Sequence, residues 1–175
     1  MGRLSGALLA IVCIVLAGCT APADGKQPDD TQPDVFFVHR MVEHGKQATE
    51  AAKLVQGRTT NATVIKLGKA IEEATAAETP QLTALAGKWG DKPAGSSESV
   101  PGAIKPDKIA TLSGATGGEF TSGWLDTMIV HHRGAITIAE TELAQGKDAE
   151  ARALAQKVID TRQPQLDQMQ GMTGG

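Results

Sequence analysis

Tyrosine is missing from this 175-residue chain, and three Phe and two Trp make up its whole aromatic complement. That leaves little with which to stack sugars, and none of the aromatic and basic interleaving of nucleic-acid surfaces. Positive charge is also short. The formal net charge is −3 and no basic stripe is present, so no nucleic-acid partner is expected. Long hydrophobic runs are absent apart from Leu8 to Leu16, which is too short for a mature membrane span. Cysteine occurs twice, as Cys13 and Cys19, both near the start. The pattern Glu-x-x-His, which di-iron and di-manganese carboxylate oxidases require, is missing. No Ser/His/Asp or Cys/His nucleophile arrangement is recognisable either, and the expectation is a protein that is not an enzyme.

The first residues read as a targeting signal: Arg3, the apolar run, then Leu16-Ala17-Gly18-Cys19. That tetrapeptide resembles a bacterial lipobox. It predicts a signal peptide over residues 1–18, lipid on Cys19, and a chain tethered to the cell membrane on its extracytoplasmic side. Such processing removes Cys13 and consumes Cys19, which excludes thiolate catalysis and cysteine metal sites. Any soft-metal ligand then has to be Met or His. Thr20 to Pro33 is rich in Pro, Asp, Gly and Gln. With Cys19 it forms a flexible tether over 19–33, reaching at most ~50 Å at ~3.5 Å per residue.

What the chain does have is a repeat. Met128-Ile-Val-His131-His132 is matched earlier by Met41-Val-Glu-His44-Gly45. The same offset of 87 relates Phe37 to Trp124, Val38 to Leu125, Ala52 to Ala139, Leu67 to Leu154, Ile71 to Val158, Glu78 to Gln165 and Leu82 to Met169. The spacing predicts helices from Asp34, as a cap, to about Gln56, and over 62–89, 119–145 and 148–171. Pro80 and Pro164 are expected to bend the second and fourth or to mark their last turns. No stretch alternates long enough to be a strand. The expected fold is all-α, a ferritin-like four-helix bundle over residues 34–175. Two repeated helix hairpins (34–89 and 119–172) are joined by a long crossover (90–118), with one short helical turn within Ile104 to Leu112.

On ideal helices Met41 and His44, and Met128, His131 and His132, lie within the apolar stripes. His39 is rotated by about 160° from Met41 and is expected to make a surface contact at most. Glu78 and its mate Gln165 also fall on inner stripes, where a carboxylate is costly unless paired, protonated or bound. Glu142 faces inward as well, near enough to a helix end to reach water. Thioether and imidazole together suit copper. Met41, His44, Met128, His131 and His132 are therefore the candidate ligands, with Glu78 and Gln165 as outer groups orienting imidazoles. Met2His2 favours Cu(I), and adding His132 makes Cu(II) more acceptable. Affinity is expected to weaken below a His pKa of ~6.5. The competing reading is a non-catalytic scaffold or adhesion lipoprotein in which these side chains form a buried polar core.

The run Phe120-x3-Trp124-Leu125-Asp126-x-Met128-Ile129-x-His131-His132-x-Gly134-Ala135-Ile136 resembles the signature of the domain-of-unknown-function 305 family. Leu112-x4-Gly117 and Asp34-x-x-Phe37-x3-Met41-x-x-His44-x3-Ala48 resemble its lead-in and first-helix motif. The resemblance implies a ferritin-like bundle, often secreted or lipid-anchored, with some members associated with copper or silver. The chain departs from the pattern at Gly45, where a second His is common. It departs again at Thr75, Arg162 and Gln165, in place of Gln, Gln and Glu. Without His/Met-rich extensions, the reading is of buffering or handing on a metal ion and not of high-capacity storage.

Overall fold

A computed structural model of the chain describes Gly2 and residues 32–93 and 100–174. The signal peptide, Cys19 and all but the end of the tether lie outside the described residues. Five helices and no strand occur among those described: α1 (Pro33–Lys53), α2 (Ala62–Lys88), α3 (Pro106–Gly114), α4 (Gly117–Gln145) and α5 (Ala149–Thr173). None is long and apolar enough to cross a membrane.

Local chemistry accounts for the ends. Asn61 and Asp148 cap α2 and α5, each side chain accepting from two backbone N–H groups of the first turn. α1 and α3 open on Pro33 and Pro106, where a missing N–H costs nothing. Asp34 is thus inside the first turn and not the cap expected of it. Its Oδ1 instead accepts from the backbone N–H groups of Lys147 and Asp148 at 2.9 and 2.8 Å, stapling the start of α1 to the α4–α5 turn. Pro80 and Pro164 mark no last turn, since α2 and α5 run on to Lys88 and Thr173. The short helical turn expected in the crossover is a nine-residue helix, α3.

The four long helices close into a ring. α1 packs on α2, α4 on α5, α1 on α4 and α2 on α5. Each apolar pair named for the 87-residue offset is buried, from Phe37 and Trp124 to Leu82 and Met169. The apolar interior divides in two. One cluster gathers Ala48, Leu67, Ile71, Trp124, Met128 and Met169. The other gathers Phe37, Met41, Leu82, Leu85, Ile138 and Val158. On every long helix the residues between the two sets are polar. They are His44 on α1, Thr75 and Glu78 on α2, His131 and His132 on α4, and Arg162 and Gln165 on α5; all are buried except Gln165, which is half-buried. A polar layer therefore crosses the bundle at mid-height, with dry core above and below it.

Candidate metal centre

The layer takes its shape from the crossover as much as from the helices. Gly102 has φ +71°, and a Cβ there would meet the Val130 carbonyl oxygen at 2.7 Å; a Cβ on Gly134 would collide with the Pro101 carbonyl. Two glycines thus let the extended segment lie directly on α4. The approach delivers two carbonyl groups to two rings. His44 Nε2 lies 2.7 Å from Pro101 O, and His131 Nδ1 lies 3.0 Å from Gly102 O.

A carbonyl only accepts, so His44 Nε2 carries the proton, whereas His131 faces a carbonyl with each of its nitrogens and donates to one of them. That leaves a lone pair on His44 Nδ1, and one on His131 Nε2 when the His131 proton is on Nδ1, at the shorter contact. These two nitrogens, the repeat-related pair, face each other at 3.2 Å, with ring centroids 4.2 Å apart. His131 Nε2 is also 3.3 Å from the His44 carbonyl oxygen. In this tautomeric state neither ring has a proton for the other, and two neutral donors converge on one buried point.

His132 is completely buried and its ring centroid is 6.4 Å from that of His131. It turns toward α5, where its Nε2 lies 3.0 Å from Gln165 Oε1, while the backbone of Met128, one turn back, is the polar group that its ring otherwise meets. Met41 and Met128 sit one turn before His44 and His131, 2% and 0% exposed, in the two different apolar clusters. Of the expected site residues, then, His44 and His131 meet. His132 stands beside them, tied to Gln165, and the methionines border the layer from opposite sides.

Glu78 does not orient an imidazole. Its carboxylate accepts from both ends of the Arg162 guanidinium, at 3.2 and 2.7 Å. Burial raises its pKa above the usual carboxylate value, and the Arg162 charge and hydrogen bonds oppose the rise. The pair spans 84 positions, not 87, and for that reason the repeat did not disclose it. His39 is likewise no surface residue. It is 5% exposed and paired with buried Asp91, because the segment after α2 covers the side of α1 turned away from the bundle. Glu142 does not reach water either, being 1% exposed.

Burial lowers all three histidines of the layer. His44 and His132 fall to about 4, with the nearby Arg162 charge contributing to both. His131 falls well below its ordinary value, through burial and then the neighbouring His44. The imidazoles therefore stay neutral, the metal-binding form, well below the pH of 6.5 at which free histidine protonates. Among the described residues no three His, Cys, Asp or Glu side chains converge as a metal site. Any ion held here would rest on two imidazoles supplemented by thioether sulfur. That neutral, soft donor set suits copper or silver better than zinc or calcium.

The family model Domain of unknown function (DUF305) matches residues 34–173. The chain belongs to the DUF305 family. No curated protein matches it. Among solved structures, a DUF305 fragment from Deinococcus radiodurans is 27% identical with a TM-score of 0.74, covering 82% of this chain and 97% of that one. A DUF305 protein from Streptomyces coelicolor is 21% identical, with a TM-score of 0.74 and coverage of 81% and 91%. CopM in its Cu(I)-bound form is 20% identical, with a TM-score of 0.70 and coverage of 79% and 94%. CopM has also been solved with Cu(II), with Ag and as the apo form. These likenesses give the DUF305 chain the fold of its relatives, all-helical throughout the described residues.

Proposed function

We propose that this DUF305 protein is a non-catalytic, lipid-anchored copper-binding protein that buffers the ion or hands it on at the extracytoplasmic face of the membrane. The observation that carries the reading is the opposed pair His44 Nδ1 and His131 Nε2, 3.2 Å apart, with both other ring nitrogens held by carbonyls. In the tautomer with the His131 proton on Nδ1, two lone pairs face each other in a buried layer, and a cation taken between them relieves their repulsion. Met41 and Met128 supply thioethers, and the buried ring of His132 offers a further nitrogen. The likeness to CopM, whose structures carry Cu(I), Cu(II) and Ag, supports copper in particular. The leader ending in Leu16-Ala17-Gly18-Cys19 supports the anchor, and likeness to a candidate secreted DUF305 protein supports the compartment.

The alternative is a scaffold lipoprotein with a purely structural polar layer. It is favoured by the hydrogen bonds that occupy His44 Nε2, His131 Nδ1 and His132 Nε2. Titration of the untagged mature chain with Cu(I) against a competing chelator separates the two. Competition at one equivalent supports the copper reading, and failure to compete leaves the scaffold.

A further inference from the structure

We infer that the ion enters and leaves the layer between α1 and α2, over Gly45 and the side chain of Thr75. This deepens the copper reading and rests on it. The layer meets the outside along four seams between neighbouring helices, and three of them are closed by bonded groups. Between α1 and α4 lies the crossover, whose Pro101 and Gly102 carbonyls hold His44 and His131. Between α4 and α5, buried His132 is tied to Gln165. Between α2 and α5, Glu78 accepts from both terminal guanidinium nitrogens of Arg162. At the fourth seam the meeting groups are small. A Cβ built on Gly45 would stand 2.9 Å from Thr75 Cγ2, so α1 and α2 touch there through a bare α-carbon and one methyl group.

A groove of about 650 Å³ lies outside that contact, running from buried Gly45 and Thr75 to exposed Ala76. Its carboxylates, Glu50 and Glu72, are balanced by Lys46 and Lys53, so a cation meets no net charge on the way in. The Thr75 hydroxyl is engaged within its own helix, donating to Ile71 O at 2.8 Å, which leaves the methyl group against α1. Pro80 cannot donate to the Ala76 carbonyl, so the ladder of α2 lacks a bond beside the groove. The foot of the groove is also close to the imidazole pair. The peptide that joins His44 to Gly45 carries the carbonyl oxygen lying 3.3 Å from His131 Nε2. Opening this seam takes a turn of one side chain. Opening the crossover seam would break both imidazole–carbonyl bonds and lift one backbone off another. The 87-residue offset sharpens the contrast between the two hairpins. Gly45 corresponds to His132 and Thr75 to Arg162, so the α4–α5 hairpin fills with large side chains what the α1–α2 hairpin leaves thin.

The test follows Ag(I), monovalent and redox-inert, into and out of the full mature chain by stopped-flow exchange with a chelator. Three variants are compared with wild type, their folding checked by circular dichroism. Gly45→Ala puts a methyl group into the contact with Thr75, and Ala76→Trp fills the groove from its exposed wall. Val130→Trp is equally bulky but covers the groove of about 390 Å³ between the crossover and α4, where Val130 is 57% exposed. Gly45→Ala and Ala76→Trp should each slow uptake and release alike, by about tenfold, an added barrier of about 1.4 kcal/mol that leaves affinity unchanged. Val130→Trp should keep both rates within about twofold of wild type. A packing defect would instead change one rate and the affinity with it, which overturns the route. Unchanged rates in both groove variants, or slowing by Val130→Trp alone, also overturn it and spare the copper reading, since Ag(I) is still bound. Failure of the wild type to bind Ag(I) overturns both.

Discussion

Truncating His131 to alanine removes one of the two facing ring nitrogens and leaves the other alone, so it should be the most damaging single change to metal binding. The expected loss in Cu(I) affinity is on the order of 100-fold or more, at the upper end of what even outer-sphere changes cost. His39→Ala should leave that affinity unchanged, because the His39 ring is paired with Asp91 of the segment after α2. It should nevertheless lower stability by about 3 kcal/mol, since Asp91 would remain buried without its partner. Chelator competition and urea unfolding on both variants separate the two effects. Loss of copper affinity in His39→Ala, or its retention in His131→Ala, would move the site. Helical angles were enough to put His131 inside. They could not anticipate the burial of His39, because the covering segment comes from residues 89–93, far away in sequence.

Elements meet in this protein at two points where one atom decides the fit. At the crossover, Gly134→Ala would add a methyl group against the Pro101 carbonyl. Alanine favours the helix by about 1 kcal/mol over glycine. Displacing the segment that anchors His44 and His131 should cost about 2–3 kcal/mol, so the strain wins and net stability falls. Urea midpoints would show it, and a stabilised Gly134→Ala would mean the segment is not held this closely. At the other point, Glu142 near the end of α4 lies by Asp34 of α1. Two carboxylates only accept, which leaves both Glu142 oxygens unsatisfied until a proton joins the pair. Burial first, then the Asp34 hydrogen bond and the Asp34 and Asp148 charges, raise Glu142 from 4.5 to about 8, while Arg152 opposes the rise. With the folded pKa above the unfolded one, this contribution is complete below pH 4.5 and is lost as pH rises toward 8. Between pH 6 and 8 the slope should approach about 1 kcal/mol per pH unit, and Glu142→Gln should flatten it. An equal slope in that variant would remove Glu142 as its source.

For the molecule as a whole, acid and base act from different ends. The three layer histidines have folded pKa values below 6.5, so their contribution is present above that pH and is lost as pH falls toward 4. Opposed by the Glu142 limb, they should place maximum stability of the apoprotein just on the acid side of pH 7. Thermal melts from pH 4 to 9 would trace both limbs; a maximum below pH 5 would contradict the neutral layer. Copper affinity should likewise persist below pH 6.5 and weaken only toward pH 4, which revises the expectation for an ordinary histidine. Attachment is a separate property of the chain. Cys19→Ala should leave the leader uncleaved or release the protein from the membrane fraction, and unchanged mass and partitioning would rule out the lipid.

The fold class, the four long helices and the inward set Met41, His44, Met128, His131 and His132 were legible because they depend on helical period and on one repeated offset. Burial of an apolar stripe is a local requirement, and any packing of these helices has to satisfy it. The tertiary structure decided what no period encodes: which polar groups complete one another across the layer. Glu78 went to Arg162 and not to an imidazole, and His132 took Gln165. His44 and His131 each have one ring nitrogen held by a carbonyl of the crossover, a segment in which no site residue was read from the sequence. Hydrogen bonds and charges require specific atoms within about 3 Å of each other. That proximity is created by chain closure, here by Gly102 and Gly134 allowing one backbone to lie on another.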